Sequence, residues 1–434
     1  MNSSLIRTVQ VIAITLITAT VCLFALAAHA TSYPTDYDFS IDQDDQQVRL
    51  IGDTGKTTTI QLSSKARNIQ AEKYTKEDVE YAVVLFTVPK KRKVRVRVYH
   101  PDGTYLGSKT PYTWKKGRDI PSARLTKLKK NKFKVQIIRQ NKHEINTKIQ
   151  TKQFKVRPKK SGKYVLKRLK SKSKDIEKPE RTGDDEADTL KLINYYRAIA
   201  GQLPVKENSE YSQGCEEHVG YMHLNQTITH YQDSSKPGYT ELGARTGPSA
   251  NVGGGTANLY ENVDRWMASV YHRFPVLEPY VREVGFHYYN NVSCLYMDVD
   301  SNLYFVEHDP IPFPAPSQAD SFYDFIGYET PDPLAGHVSD PDSEYPVGTV
   351  VSLQFSREQD IESMHVSVTD SNGNGAYGYT RLPGDDNDPN KLYQRNAVTY
   401  IVADTLNSGE TYTATFSGVV DGKSFTKSWE FTTR

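Results

Sequence analysis

Hydrophobic and polar residues follow distinct patterns in different parts of the chain, and each pattern predicts a different kind of structure. Residues 81–88, YAVVLFTV, form an unbroken apolar run, whereas residues 93–99, KVRVRVY, alternate between charged and β-branched side chains. The first pattern is typical of a buried strand, and the second of a strand with one solvent-exposed face. Alternation continues at residues 132–139 and 152–158. We therefore expect a β-sandwich domain over residues 31–178.

The middle of the chain changes to a helical period. Apolar residues recur at intervals of three and four within residues 189–201, 210–225 and 258–270, which predicts three helices. Three short strand patterns follow them, EVGFHYYN, VSCLYMDV and NLYFVEHD at residues 283–290, 292–299 and 302–309. Helices packed on a small antiparallel sheet predict an α+β domain over residues 190–312, preceded by a linker at 179–189.

The C-terminal part returns to short strands separated by turn signals. Segments such as TVVSLQFS, AVTYIVAD and TYTATFSG follow one another after a proline-rich stretch at residues 309–316. This cadence predicts an immunoglobulin-like β-sandwich over residues 336–434. The chain of 434 residues is thus expected to be a multidomain protein: an all-β N-terminal domain, a central α+β domain and a C-terminal β-sandwich.

The first 30 residues have the pattern of a secretory signal peptide. They contain an early Arg7, no acidic residue, a long apolar run and the sequence Ala28-His29-Ala30, which suits signal peptidase. We expect cleavage near Thr31 and a secreted protein, with an uncleaved N-terminal membrane anchor as the alternative.

Export changes the interpretation of the cysteines. Removal of the first 30 residues leaves Cys215 and Cys294 in an oxidising environment, where a disulfide between them would close a loop of 79 residues. The alternative is a pair of inert buried thiols.

Charge is distributed very unevenly along the chain, although the formal net charge is only +2. Residues 90–181 contain 32 Lys and Arg against 6 Asp and Glu, whereas residues 182–434 contain 15 against 36. A basic domain on a secreted protein can hold an anionic cell-wall polymer or a phospholipid surface through many salt-sensitive contacts. The alternative is a solvated charged face or an electrostatic partner for the acidic part. Nucleic acid is not expected, because export separates the protein from it.

The middle domain contains six of the eleven histidines, and two of them, His230 and His272, belong to a series of ordered motifs. The series is Asn194 with Arg197, His218, Thr229-His230, Trp266 with Ser269, and His272-Arg273. It resembles the bacterial branch of the CAP superfamily, the SCP-like secreted domain of cysteine-rich secretory and pathogenesis-related proteins. The resemblance covers residues 185–312 and implies an α-β-α sandwich in which His230 and His272 face each other across one cleft.

The cleft of this family usually adds two acidic residues, and this chain departs from the family at both positions. The resemblance places Ala250 at one, beside Asn251, and Ser269 at the other. We therefore expect His230, His272, Ser269 and Asn251 to line a ligand-binding cleft. Zinc bound by His230 and His272 is possible, but two histidines would fill only half of the three or four ligand positions that zinc needs.

These observations predict a secreted, Gram-positive cell-envelope protein that binds rather than catalyses. Its basic domain would hold an anionic wall polymer or a membrane surface, and its cleft would hold a small ligand of unknown identity. The alternative is a histidine- or metal-dependent hydrolase, with His230 or His272 as the base and Ser269 as a nucleophile at helical spacing from His272. No G-x-S-x-G sequence surrounds Ser269, and no aspartate is evidently placed to orient either histidine, so we favour binding.

Overall fold

The computed structural model describes residues 37–52, 56–76, 79–128, 132–141, 146–158, 164–299 and 308–434. The predicted signal peptide or anchor at residues 1–30 lies outside these residues, and so does most of the strand predicted at residues 302–309. Within the described ranges, no helix combines the length and the apolar character that crossing a bilayer requires.

The N-terminal domain contains three antiparallel sheets. The first sheet contains β1 (Tyr37–Asp42), β2 (Gln47–Gly52) and β3 (Thr57–Gln61). The second contains β4 (Arg67–Lys76), β5 (Val79–Val88), β6 (Lys93–Tyr99) and β7 (Tyr105–Thr113). The third contains β8 (Ala123–Leu128), β9 (Lys132–Gln140), β10 (Asn146–Pro158) and β11 (Tyr164–Asp175).

The apolar run at residues 81–88 is buried on both faces because strand β5 lies in the middle layer. Side chains of a strand point alternately to its two faces. Tyr81, Val83 and Leu85 therefore join the core shared with the third sheet, and Ala82, Val84 and Phe86 join the core shared with the first sheet. The sequence pattern predicted a buried strand and a single sandwich; the structure confirms the strand and adds a third layer.

The central domain is built from five helices and a four-stranded sheet. The helices are α1 (Asp185–Ile199), α2 (Ser209–Leu224), α3 (Glu241–Thr246), α4 (Leu259–Ala268) and α5 (Arg273–Leu277). The strands are β12 (Lys206–Glu207), β13 (Ala250–Gly254), β14 (Val281–Tyr289) and β15 (Val292–Val299), in the order β12-β14-β15-β13.

Helices cover both faces of this sheet and give an α-β-α arrangement. On one face, residues of α1, α4 and α5 pack with Val284, Phe286 and Leu295 of the sheet. On the other face, α2 packs against β13 and β15 through Val219, Met222 and Val252 among others. The disulfide predicted between Cys215 and Cys294 is present and joins α2 to β15, with Cα atoms 5.3 Å apart.

Local capping explains where the helices start. The Asp184 side chain accepts a hydrogen bond from the Ala187 N–H, so α1 begins inside the segment that we predict to be a linker. Asn258 caps α4: its side chain accepts a hydrogen bond from the Glu261 N–H and donates another to the Glu261 carboxylate. Glycines favour turns, yet Gly253 and Gly254 are the last two residues of strand β13.

The C-terminal part contains two four-stranded sheets and a two-stranded ribbon. One sheet contains β16 (Ile311–Phe313), β19 (Val350–Gln354), β23 (Ala397–Val402) and β22 (Gly378–Arg381). The other contains β21 (Gly375–Ala376), β20 (Ile361–Thr369), β24 (Thr411–Val420) and β25 (Lys423–Thr432). The ribbon contains β17 (Asp324–Phe325) and β18 (Val347–Gly348). The two large sheets face each other across one core, and an immunoglobulin-like topology stays a prediction.

The central domain packs directly onto the C-terminal sheets. Strand β16 begins inside the range predicted for the central domain, yet it pairs with β19 of the C-terminal part. Val270, Tyr271 and Phe274 share a buried cluster with residues of β18, β19 and β23. The segment between α4 and α5, which contains the candidate cleft residues Ser269 and His272, therefore lies at this interface.

Candidate functional site

His272 lies at a break between two helices. Helix α4 ends at Ala268, Ser269 is its C-cap with extended backbone, and α5 begins at Arg273. The His272 ring is roughly parallel to the Trp266 indole, with ring centroids 6.4 Å apart, and its side chain is 15% exposed. The helical spacing that we predicted between Ser269 and His272 is therefore wrong, because the helix stops before it reaches them.

A glutamate outside the predicted site residues contacts the whole of this break. The Glu329 carboxylate accepts hydrogen bonds from the backbone N–H groups of Val270 (2.7 Å), Tyr271 (2.7 Å) and His272 (3.0 Å). It also accepts one from the Ser269 hydroxyl at 3.0 Å and lies 2.6 Å from Nδ1 of His272. Because the helix ends here, its break leaves these donors without helical partners, and one buried carboxylate satisfies them.

Glu329 is held in its ionised form. Its side chain is fully buried, and burial alone would raise the pKa of the carboxyl group. Hydrogen bonds and charge from the His272 ring, together with the backbone N–H groups of His272 and Val270, outweigh that effect and lower the pKa of Glu329 below its ordinary value of 4.5. The arrangement therefore fixes Nδ1 of His272 as the proton-bearing nitrogen and directs Nε2 away from Glu329.

Ser269 is not arranged as a nucleophile. Its hydroxyl lies 3.0 Å from the Glu329 carboxylate and 3.0 Å from the Trp266 carbonyl oxygen, and the residue is 2% exposed. A nucleophilic serine must present its oxygen to substrate and its proton to a base. Here the base, His272, and the serine both donate to the same carboxylate, so Ser269 acts as part of the clamp around Glu329.

Asn251 contacts His272 through the backbone. It lies on β13, is 4% exposed, and its side-chain amide donates to the His272 carbonyl oxygen at 2.8 Å. The predicted site residue therefore positions His272 rather than presenting its own amide to a ligand.

His230 belongs to a separate small cluster with His218. Its Nδ1 lies 3.0 Å from the Gly247 carbonyl oxygen and therefore carries the proton, which leaves Nε2 as the acceptor. His218 is fully buried between the Thr229 carbonyl oxygen at Nε2 and the Gln232 amide at Nδ1, and burial lowers its pKa. A Cβ atom at Gly247 would come within 2.4 Å of the His218 ring and of the His230 carbonyl oxygen, so only glycine fits between the two histidines.

The segment at residues 247–251 connects the two candidate histidines. Its Gly247 end contacts His230, and its Asn251 end contacts His272. Among the described residues, no hydrogen bond or ring contact joins the two imidazoles directly. Their opposition across a single cleft stays a prediction.

The residues around His272 do not fit a zinc site. Nδ1 of His230 and Nδ1 of His272 each already have a protein acceptor, and the Glu329 oxygens accept five hydrogen bonds. No group of three or more His, Cys, Asp or Glu within the described part of the chain could hold a metal ion. Two single nitrogens fall short of the three or four ligands that zinc requires.

Two buried arginines hold the helices around the site. Arg197 of α1 donates to the carbonyl oxygens of Leu203, Val276, Glu278 and Val281, and Arg273 of α5 donates to those of Ala268 and Val350. Burial lowers the pKa of each guanidinium to about 9. Arg273 therefore ties the helix break to strand β19, on the same interface as Glu329.

Sequence reasoning missed Glu329, although it found its partners. The residue lies 57 positions after His272 in the connecting segment FIGYETPDP, which has no helical or strand period. Its only local signal is an acidic residue between aromatic and proline residues, and many exposed loops share that signal. The contact is set by the packing of two domains, which a local pattern does not encode.

Residues 190–307 match the CAP family model, described as the cysteine-rich secretory protein family. The chain therefore carries a CAP domain, as the resemblance of its motifs predicts.

Solved structures similar to this chain include two bacterial proteins. One is an extracellular protein containing an SCP domain from Bacillus anthracis str. Ames (10% identity, 53% of this chain and 88% of that chain, TM-score 0.23). Another is a cysteine-rich secretory protein from Staphylococcus aureus subsp. aureus Mu50 (11% identity, 54% and 87%, TM-score 0.21).

A third similar structure is CopC from Methylosinus trichosporium OB3b (16% identity, 29% of this chain and 91% of that chain, TM-score 0.19). At TM-scores this low, nothing about function follows from these similarities. No match was found among curated proteins.

Proposed function

We propose that this protein is a secreted bacterial envelope protein whose CAP domain binds a small ligand at the surface of His272, without catalysis, while its basic domain attaches it to an anionic wall polymer. The observation that carries the proposal is the clamp of Glu329 on Ser269 and His272. It fixes the imidazole in one orientation and one tautomer, and it withholds the serine hydroxyl from a substrate. A rigid, preformed polar group suits binding.

The basic domain supports the attachment half of this proposal. The excess of Lys and Arg lies in residues 90–181, which include β6 to β11, whereas the following domains are acidic. The positive field of such a domain attracts a polyanion and weakens as salt screens it.

The experiment is cosedimentation of the full mature chain with purified Gram-positive walls, at low and at high ionic strength. We expect retention at low salt and release at high salt. Retention that does not change with ionic strength, or no retention at all, would contradict electrostatic attachment. Walls stripped of their anionic polymer provide the control and should bind much less protein.

The cleft is tested with His272→Ala, compared with His365→Ala, which replaces an exposed histidine on β20. The probe is a mixture of soluble muropeptides, and the readout is the change in amide chemical shifts on titration. We expect shifts around residues 269–272 in the wild type and in His365→Ala, but not in His272→Ala. Identical shifts in all three proteins would refute a binding role for His272.

A hydrolase is the second candidate, and one observation favours it. A histidine whose Nδ1 lies 2.6 Å from a buried carboxylate is the base–orienter pair that general-base catalysis uses. Because the Ser269 hydroxyl is hydrogen-bonded to Glu329, Nε2 of His272 would have to activate a water molecule instead. Release of soluble fragments from walls by the wild type, lost in both His272→Ala and Glu329→Gln, would establish the hydrolase and exclude the non-catalytic proposal.

A further inference from the structure

The outer face of the third N-terminal sheet carries a set of lysines in a regular array. On its inner face, Phe133, Val135, Phe154 and Val156 enter the core. Alternation along each strand therefore turns the residues between them outward. Five of the outward lysines form a group that we call the lysine ladder: Lys132 on β9, Lys155 on β10, and Lys167, Lys172 and Lys174 on β11.

Strand register places three of these lysines side by side. Lys155 pairs directly with Lys132 on one neighbouring strand and with Lys167 on the other. Directly opposed side chains in an antiparallel sheet have Cβ atoms about 4.5–5.5 Å apart, and like charges at that distance repel. Lys172 and Lys174 continue the array along β11, the edge strand of the sheet, and both are exposed, as is Lys167.

The lysine ladder is not neutralised by the protein itself. Within the described part of the chain, no carboxylate forms an ion pair with any of its five members. Lys148 on the same strand β10 is different, because it pairs with Asp175 at 2.7 Å on the other face of the hairpin. The positive field extends to Lys134 on β9, whose pKa is lowered by burial and, in addition, by the charges of Arg124 and Lys206.

The shape and composition of this face indicate the kind of anion that it fits. Lysines at alternate positions of a strand recur about every 6.6–6.8 Å, which suits a chain with one charge per repeat. The other described outward residues of β9 and β10 include Gln136, Thr151 and Gln153, and none of these carries a ring on which a base could stack. The large apolar side chains on this face do not resemble those that anchor proteins in a membrane surface, because Ile138 is buried and Leu128 and Ile149 are partly buried.

We propose that the lysine ladder binds a linear polyol-phosphate polymer, which lies along β11 and extends across the row of Lys167, Lys155 and Lys132. This inference rests on the proposed attachment to anionic wall polymer and names the surface that performs it. Each phosphodiester contributes one negative charge, so the polymer offsets the repulsion within the row. Binding should therefore release counterions and depend steeply on salt.

The experiment uses the full mature chain and poly(glycerol phosphate) of defined length as the probe. The test variant combines Lys155→Gln with Lys167→Gln, and the control variant is Lys148→Gln, which removes one charge from the same strand on the opposite face. Binding is measured by titration calorimetry at several ionic strengths. Thermal unfolding checks that both variants fold, and the test variant should be at least as stable as wild type because it loses a like-charge contact.

We expect the test variant to bind the polymer on the order of tenfold more weakly and with a shallower salt dependence, and the control to bind nearly as the wild type does. Equal weakening in test and control variants would overturn the ladder, as would wild-type affinity in the test variant.

Parallel titrations with phosphatidylglycerol vesicles and with single-stranded DNA test the choice of polymer. Tighter binding of either probe than of poly(glycerol phosphate) would overturn the assignment of the ligand. If the wild type binds whole walls in a salt-sensitive way but does not bind the polymer, the ladder is wrong and the proposed function stands. Failure to bind walls at all defeats the proposed function itself.

Discussion

Replacement of Glu329 should damage both the stability of the protein and the orientation of His272. In Glu329→Ala, the N–H groups of Val270, Tyr271 and His272 lose their buried acceptor. Each buried donor without a partner costs about 1–3 kcal/mol, and relaxation or entry of water recovers part of the sum. We therefore expect a loss of about 3–5 kcal/mol in the free energy of unfolding, in the range found when one partner of a buried ion pair is removed.

The isosteric variant Glu329→Gln separates charge from volume. One carboxylate oxygen accepts from Ser269, Tyr271 and His272, and the other accepts from Val270. An amide keeps one oxygen and places its NH₂ group against an N–H donor at the other position. The expected loss is about 2 kcal/mol, since about one buried donor is left unsatisfied and the charge is removed.

The assay is urea unfolding followed by near-ultraviolet circular dichroism, combined with nitrogen NMR of the His272 ring. Glu344→Gln is the control, because Glu344 is exposed and also lies between β17 and β18, so its replacement should cost little. Both Glu329 variants should also shift the His272 ring toward a mixture of tautomers. A loss below 1 kcal/mol in Glu329→Ala, or a His272 tautomer identical to wild type in both variants, would refute the role assigned to the carboxylate.

The same clamp predicts how stability depends on pH. The pKa of Glu329 is lower in the folded protein than its ordinary value of 4.5. Between the lowered pKa and pH 4.5, the unfolded chain therefore binds more protons than the folded protein does. The stability contributed by Glu329 is complete above pH 4.5 and is lost as pH falls through the lowered pKa. Glu329→Gln should remove this part of the acid dependence, and an unchanged acid profile would contradict it.

Three further measurements address other parts of the molecule. Replacement of Cys215 and Cys294 by alanine should lower the free energy of unfolding of the CAP domain by about 4–5 kcal/mol, because a closed loop of 79 residues is freed in the unfolded chain; equal urea midpoints for the two proteins would contradict this. Arg273→Met should separate the unfolding of the CAP domain and of the C-terminal sheets into two calorimetric transitions. The control Arg245→Met, at an exposed arginine, should not. A single transition in Arg273→Met would show that Arg273 does not couple the domains. Burial lowers the pKa of His218 below 6.5, so wild-type stability should fall as pH drops below that value, and His218→Gln should flatten this dependence; urea titrations between about pH 5 and 7 with equal slopes would exclude the effect.

The features that could be predicted from the sequence are those encoded by local patterns. Helix α4 and its apolar stripe through Trp266 follow from the helical period within residues 258–270. The disulfide followed from a count of cysteines in a chain that we expect to be exported, and the CAP domain from a series of ordered motifs. Each of these depends on residues close in sequence or on a sequence pattern that can be recognised without knowing how the chain packs.

The features that were missed depend on contacts between distant segments. The break after Ala268 is set by Glu329, which satisfies three N–H groups that a continued helix would otherwise have used. The third layer of the N-terminal domain was missed because an apolar run indicates burial on two faces but not what covers each face. Strand β13 was missed because its glycines favour a turn, while pairing with β15 holds them extended.

The position of Glu329 makes the orientation of His272 a property of two domains rather than one. The residue lies beyond residues 190–307, yet it orients the imidazole of that CAP domain and shares an interface with Arg273 and strand β19. Any ligand that favours the clamped orientation of His272 must therefore also stabilise the packing of the CAP domain on the C-terminal sheets. By thermodynamic reciprocity, a change that loosens that packing must weaken the binding of the ligand by the same coupling free energy. Under the proposed function, the C-terminal part would thus take part in recognition without contacting the ligand, since the segment after β17 carries the carboxylate that fixes the ring.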